Sequence, residues 1–195
     1  MTAGTADRIA AAARELLETE GSAAVTMRRV AAAVEITPMA IYRHFPTREA
    51  LLDSLATAGF TELGQNWGKR DWSAEPTRLQ QQTDEALEDY LDFALRQPHL
   101  YAFLFTEQRA GARRYPDDFR TGASPTLTVL ADALTAGMLA GVYREDDVWE
   151  LAMIVSATLH GLVQLHAGGR ISLPDPEFRT LCRTAVRRVL DGIRS

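Results

Sequence analysis

Apolar residues recur at helical spacing from the start of the chain. Ile9, Ala12, Ala13, Leu16 and Leu17 fall at i, i+3, i+4, i+7 and i+8, one face of a helix, and Gly21 stands just past them as a C-terminal cap. Thr26 is placed to cap a short second helix, with Val25 before it and Val30 within it as a hydrophobic staple. The same grammar repeats at once: Thr37 is a cap, Pro38 suits the first helical position, and Ile36 pairs with Ile41 as a second staple. Only Val34, Glu35 and Ile36 lie between these helices, so they must cross sharply. Pro46 ends the third helix. Thr47 caps a longer fourth, with Leu51, Leu52, Leu55 and Leu63 on one face.

Gly64 to Pro76 reads as the first break in the helical pattern. Beyond it, Leu79, Ala86, Leu87, Tyr90 and Phe93 or Ala94 mark a helix that stops before Pro98, and Pro98 opens a short apolar helix through Phe105. The run from Arg109 to Gly122 reads as a loop with a helical turn. Ser124 and Pro125 start another helix carrying Leu127, Leu130, Leu134 and Met138. Asp147, with Glu150 three residues on, predicts a capping box for a helix over roughly 148–167. The last helix begins near Pro176 and carries an apolar stripe of Phe178, Leu181, Cys182, Ala185, Val186, Val189, Leu190 and Ile193. No period-2 segment of useful length occurs, so the fold class is all-α, with about nine helices.

Composition narrows this picture. At 195 residues, 46% hydrophobic and with one cysteine, the chain is a folded protein, not a disordered segment or a disulfide scaffold. No run of about 18 uninterrupted apolar residues appears, which predicts no membrane span. Asp7, Arg8, Arg14 and Glu15 interrupt the apolar N-terminus, which is therefore not expected to be a signal peptide, and a cytoplasmic location follows as the default. The formal net charge of −5 argues against nucleic acid, but its placement reverses the argument. Residues 1–50 sum to zero, and within 26–48 four arginines face Glu35 alone, a balance of +3. The remaining 145 residues carry the whole deficit.

Two short capped helices joined by about three residues are the pattern of a helix-turn-helix, whose second helix fits the major groove; an antiparallel helix pair with no DNA function has the same spacing. Val30, Ala31, Val34, Ile36, Ile41 and Phe45 account for the packing, leaving Pro38, Met39, Ala40, Tyr42, Arg43 and His44 outward. The segment Thr26–Leu51, TMRRVAAAVEITPMAIYRHFPTREAL, closely resembles the DNA-binding domain of the TetR family of bacterial transcriptional regulators. The resemblance rests on Thr26, the Val30–Ala31 pair, Thr37–Pro38, the run Ile41-Tyr42-Arg43-His44-Phe45, and Pro46 through Leu51. It implies a DNA-binding domain at 1–50 and a helical-bundle ligand-binding and dimerisation domain at 51–195.

The resemblance also implies roles for matching residues. Thr26 and Thr37 would meet phosphates at helix N-termini; Tyr42 and His44 match the family's backbone-contacting pair; Arg48 would add positive charge at the start of the fourth helix, with Arg28 a weaker candidate. Arg29 and Arg43 read as ordinary solvated arginines. Sequence reading then falls to Pro38, Met39, Ala40 and Tyr42. None can make a bidentate contact to guanine or adenine, so readout weighted toward thymine methyl groups and DNA shape is expected. Glu35 stands where the family has glycine, at a turn position that often needs positive φ.

Eight apolar positions on one stripe exceed what an end helix needs internally. With the 148–167 helix, the stripe predicts a homodimer through the last two helices. Leu159-His160-Gly161-Leu162 and Gly141 to Arg144 resemble a Trp-His-Gly subgroup of the family's C-terminal domains, with Leu159 in place of the tryptophan. Tyr90, Phe93, Leu100, Phe103, Leu104, Leu134, Met138, Trp149, Met153 and His160 offer an aromatic, methionine-containing lining for an apolar effector, although such stripes are more often plain core. Arg109, His160 and Gln164 could supply polar contacts. No nucleotide loop, nucleophile elbow, metal motif or cofactor signature occurs, and no enzyme activity is expected. The expected partners are double-stranded operator DNA, a small-molecule effector and a second copy of the chain. The competing reading is an all-α ligand-binding or adaptor protein that never meets DNA.

Overall fold

The apolar periods become helices nearly everywhere they predict them. The computed structural model describes residues 4–109 and 111–194, so Ala110 of the expected loop and the first three residues lie outside the described residues. Among the described residues there are ten α-helices: α1 (Thr5–Glu20), α2 (Met27–Ala33), α3 (Pro38–Tyr42), α4 (Arg48–Trp67), α5 (Pro76–Arg96), α6 (Pro98–Phe105), α7 (Asp117–Arg120), α8 (Pro125–Leu139), α9 (Val148–Ala167) and α10 (Asp175–Asp191). No strand occurs among them, only an isolated bridge between Tyr143 and Arg194. The helix beyond the expected nine is α7, the helical turn in the 109–122 loop.

The caps fall where the hydroxyls stand. Oγ1 of Thr26 accepts the Arg29 N–H at 3.2 Å, Thr37 that of Ala40 at 3.3 Å, and Thr47 that of Ala50 at 3.0 Å. Val25 and Val30 are fully buried, as a staple requires, and Ile36 is half-buried beside the buried Ile41. Three boundaries differ from expectation. First, α3 ends at Tyr42 rather than at Pro46, because the His44 and Phe45 N–H groups both turn back to the Ile41 carbonyl. Second, Asp147 caps α9 through the Trp149 and Glu150 N–H groups, but its own N–H goes to the neighbouring Asp146 carboxylate; the box is only half made. Third, Gly64 does not break α4. A Cβ there would stand 2.4 Å from Cβ of Pro125, so this glycine serves a close helix-to-helix approach, and the true break is the stretch after Trp67.

Packing divides the chain into two compact units: Met1–Glu62 with Arg96–Ala112, and Leu63–Leu95 with Arg113–Ser195. In the first, α1 packs on α2 and α6, and α2 on α3, around Ile9, Leu17, Val30, Ile41, Leu51 and Phe103. In the second, α9 packs against both α8 and α10 over Leu134, Val155, Val163, Phe178 and Cys182. Ion pairs lace α10 to α5: Arg187 to Asp84 at 2.7 Å, Arg183 to Glu88, and Arg179 to Glu88 and Asp92, both at 2.8 Å. By length and composition α9 could cross a membrane, which the rule of uninterrupted apolar runs did not foresee. Its polar interruptions, Ser156, Thr158, His160 and Gln164, are too mild to lower the average over 18 residues.

Candidate nucleic-acid interface

The turn between α2 and α3 is a Schellman motif built around the wrong residue. Ile36 N–H bonds the Ala31 carbonyl at 3.0 Å and Glu35 N–H that of Ala32 at 3.3 Å. This pattern puts the donor of the inner bond in the left-handed region, and Glu35 has φ 56, as the turn position predicted. From α1, the Arg8 guanidinium donates to the Val34 carbonyl at 2.9 Å and so satisfies an open acceptor at the C-terminus of α2. The angle at which α3 leaves α2 is therefore fixed by three hydrogen bonds and one strained residue.

That angle puts the outward face of α3 in water. Met39 is 71% and Tyr42 46% exposed, large side chains that a soluble surface would otherwise withdraw. Pro38, Arg43 and His44 are exposed beside them and Ala40 is half-buried. Thr26 and Thr37 are exposed too, and each hydroxyl that accepts a backbone N–H keeps its own proton to donate.

The arginines sort differently from expectation. Arg29 forms a two-pronged pair with Glu20, at 2.6 and 2.9 Å, which holds the Glu20 carboxyl below its usual range; it is a paired arginine, not the merely solvated one expected. Arg28 and Arg43 are exposed and have no ion-pair partner among the described residues. Arg43 is thus a free cation on the outward side of α3 that the sequence reading set aside. Arg48 corrects in the other direction. Its Nε donates to the Val25 carbonyl and Nη2 to that of Ser22, both at 2.6 Å, so the guanidinium is turned to the main chain and braces the entry to α2 rather than facing outward.

The residues expected around an effector are only partly brought together. In the second unit, the Tyr90 hydroxyl and His160 Nδ1 share a hydrogen bond of 3.1 Å, with the two rings edge to face. Trp67 completes the cluster, its ring 6.1 Å from that of Tyr90 and 5.9 Å from that of Phe93. Burial pushes the His160 imidazole down to about 4, so it is neutral near pH 7. Met138, Trp149 and Met153 are half-buried positions of α8 and α9. Phe103 belongs to the first unit, fully buried against the Arg109 guanidinium, and Gln164 is exposed. Trp67 was missed because Gly64 was read as the end of α4; the Leu63–Trp67 spacing of four was its signal. Among the described residues no group of three or more His, Cys, Asp or Glu could hold a metal ion.

The last two helices leave one apolar face open. On α9, Ile154 and Leu165 are 44% and 47% exposed, and Ala157 and Gly161 lie exposed on the same side. A Cβ on Gly161 would meet nothing within 4 Å. Along the terminal stripe, Phe178, Cys182, Val186 and Leu190 of α10 and Ile193 just past it are buried internally, so the stripe of eight is largely consumed; Leu181, Ala185 and Val189 remain half-buried.

A strained helix-turn-helix in one unit and an all-α bundle in the other describe a class of two-part DNA-binding regulators. Residues 9–55 match the family of bacterial regulatory proteins named for tetR, and residues 84–189, more than half the chain, match the tetracyclin repressor-like C-terminal domain. The chain belongs to the TetR family of transcriptional regulators. Among solved structures, a protein of unknown function from Rhodococcus sp. RHA1 is similar over 100% of this chain and 97% of its own, with 24% identity and a TM-score of 0.78. A TetR-family transcriptional regulator from Pectobacterium atrosepticum is similar over 97% and 94%, with 20% identity and a TM-score of 0.69. The flavonoid-responsive regulator FrrA matches over 97% and 96%, with 23% identity and a TM-score of 0.61. At these identities the likeness is one of fold. No curated protein matches the chain in sequence.

Proposed function

We propose that this regulator is a cytoplasmic homodimeric repressor without enzymatic activity. In this reading a small, largely apolar ligand releases it from a palindromic operator. Residues 1–50 bind the DNA, and residues 51–195 bind the ligand and the second copy. The observation that carries the reading is the outward face of α3, where Met39 and Tyr42 stand in water with the unpaired Arg43 beside them. Exposed apolar bulk next to free positive charge suits a major groove, where thymine methyl groups and phosphates lie together. Thr26, Thr37, Tyr42, His44 and Arg28 supply phosphate contacts, Pro38, Met39 and Ala40 approach the bases, and Arg48 acts from behind as a brace.

The cluster of Trp67, Tyr90, Phe93 and the neutral His160 favours an apolar effector with one polar group. The open face of α9 favours a second copy. Ligand would stabilise a dimer whose recognition helices miss successive major grooves, about 34 Å apart. By linkage, operator must weaken ligand binding by the factor that ligand weakens operator binding.

Genomic footprinting should find a palindrome, and gel-shift titrations on it then test the reading. Affinity should fall steeply with salt, and Arg43→Ala should lower the slope of log K against log salt by about one. Replacing operator thymines by uracil should weaken binding. Salt-independent or absent binding would point to an adaptor instead, and indifference to every thymine would refute the methyl readout.

A further inference from the structure

Arg109 is a withdrawn cation with too few partners. Its side chain keeps 11% of its surface exposed, and its Nε is buried with no hydrogen-bond partner among the described residues. The Asp53 carboxylate on α4 stands 4.0 Å from Nη1, beyond hydrogen-bond reach, and Nη2 makes one long contact of 3.4 Å to the Leu104 carbonyl. The charges of Asp53 and Glu107 act on it without a hydrogen bond among those described, and two rings flank it: the guanidinium carbon lies 5.0 Å from the centre of the Phe103 ring and 6.0 Å from that of Phe60. The same chain shows what a satisfied arginine looks like. Arg179, 16% exposed, holds Glu88, Asp92 and Asp175, each at 2.8 Å. A buried guanidinium stays charged, and leaving one short of acceptors is costly unless something else supplies them.

We propose that Arg109, flanked by Phe60 and Phe103, is the anchor of a binding site for a small aromatic carboxylate. The two oxygens of such an acid match Nε and one Nη of the fork, and its ring finds two aromatic neighbours. Asp53, half-exposed and beyond hydrogen-bond reach, can turn to water as the acid takes its place. The site uses none of the Tyr90–His160 cluster, and its test does not involve DNA, so it stands or falls separately from the repressor reading.

Full-length protein is titrated calorimetrically and by thermal shift with benzoate and phenylacetate, each against its uncharged amide. The acids should bind and raise Tm by roughly 5–10 °C at a hundred times Kd, with the amides at least about tenfold weaker. Arg109→Met should abolish the response to the acids while unfolding, without ligand, at the same or a higher temperature, because it removes a poorly paired cation. Arg109→Lys keeps the charge but loses the fork, and should weaken the acids about tenfold. The proposal is overturned if neither acid binds, if acid and amide bind alike, or if Arg109→Met lowers the ligand-free Tm as a core truncation does. Inorganic phosphate binding as tightly as the acids would also overturn it, since the aromatic flank would then count for nothing.

Discussion

At Glu35 the backbone asks for a residue with no side chain. Its φ of 56 is the conformation that glycine adopts without steric cost, at the position of the α2–α3 turn where two hydrogen bonds leave no freedom to relax. Glu35→Gly should therefore raise stability by about 1 kcal/mol, seen as a Tm higher by about 2–4 °C. The change also removes a negative charge beside α3, so operator affinity should rise at low salt and the gain should fade at high salt. A lower Tm would refute the strain; an unchanged affinity at low salt would refute the electrostatic part. This strain was expected from the family resemblance, which places glycine at this turn position; the three-residue spacing by itself showed only that the helices cross sharply. Arg48 was not legible. Its partners are main-chain carbonyls of Ser22 and Val25, which every residue carries, so no side chain announces the contact.

Among the elements, α4 separates what periodicity reveals from what it hides. The positions Leu51, Leu52, Leu55 and Leu63 declare a helix, and all are buried, but Gly64 declares a stop that the fold ignores. Helix propensity disfavours glycine by only about 1 kcal/mol, while the approach of Pro125 leaves no room for a methyl group. Gly64→Ala should consequently destabilise the protein by about 1–3 kcal/mol, measured by the denaturant midpoint, despite the better helix former. Gly59→Ala is the internal control: its new Cβ would meet the flexible end of Leu104 at 3.2 Å, so it should cost less than Gly64→Ala. Equal effects would show that packing against Pro125 is not the reason for the glycine. The terminal stripe carries the same lesson. Its eight positions were legible as apolar, but five of them are spent within the fold, which spacing alone cannot divide.

For the whole molecule, the open face of α9 is where assembly should act. Ile154→Glu with Leu165→Glu places two charges where a second copy would lie, and neither side chain is buried in the single chain. The double variant should sediment as a monomer with unchanged helical content, and it should bind a palindromic operator about a hundredfold more weakly. A variant that remains dimeric would move the interface elsewhere. The all-α class, most caps and the outward face of α3 could be read from periodicity and hydroxyl positions. The effector cluster could be read only in part, because its members come from distant segments and aromatic spacing does not separate lining from core. Charge placement was legible by arithmetic: +3 in residues 26–48 within a chain of −5.

The brace at Arg48 has a consequence for how such a chain can vary over time. A contact made to carbonyls constrains one position and leaves its partners free, since Ser22 and Val25 offer the same oxygen whatever side chains they bear. Arg48 would then stay fixed while nothing opposite it changes in step, and correlated substitution would be blind to it. A lysine there brings a single ammonium point, not a planar fork, to two acceptors three residues apart. Arg48→Lys should therefore keep the charge but loosen the brace.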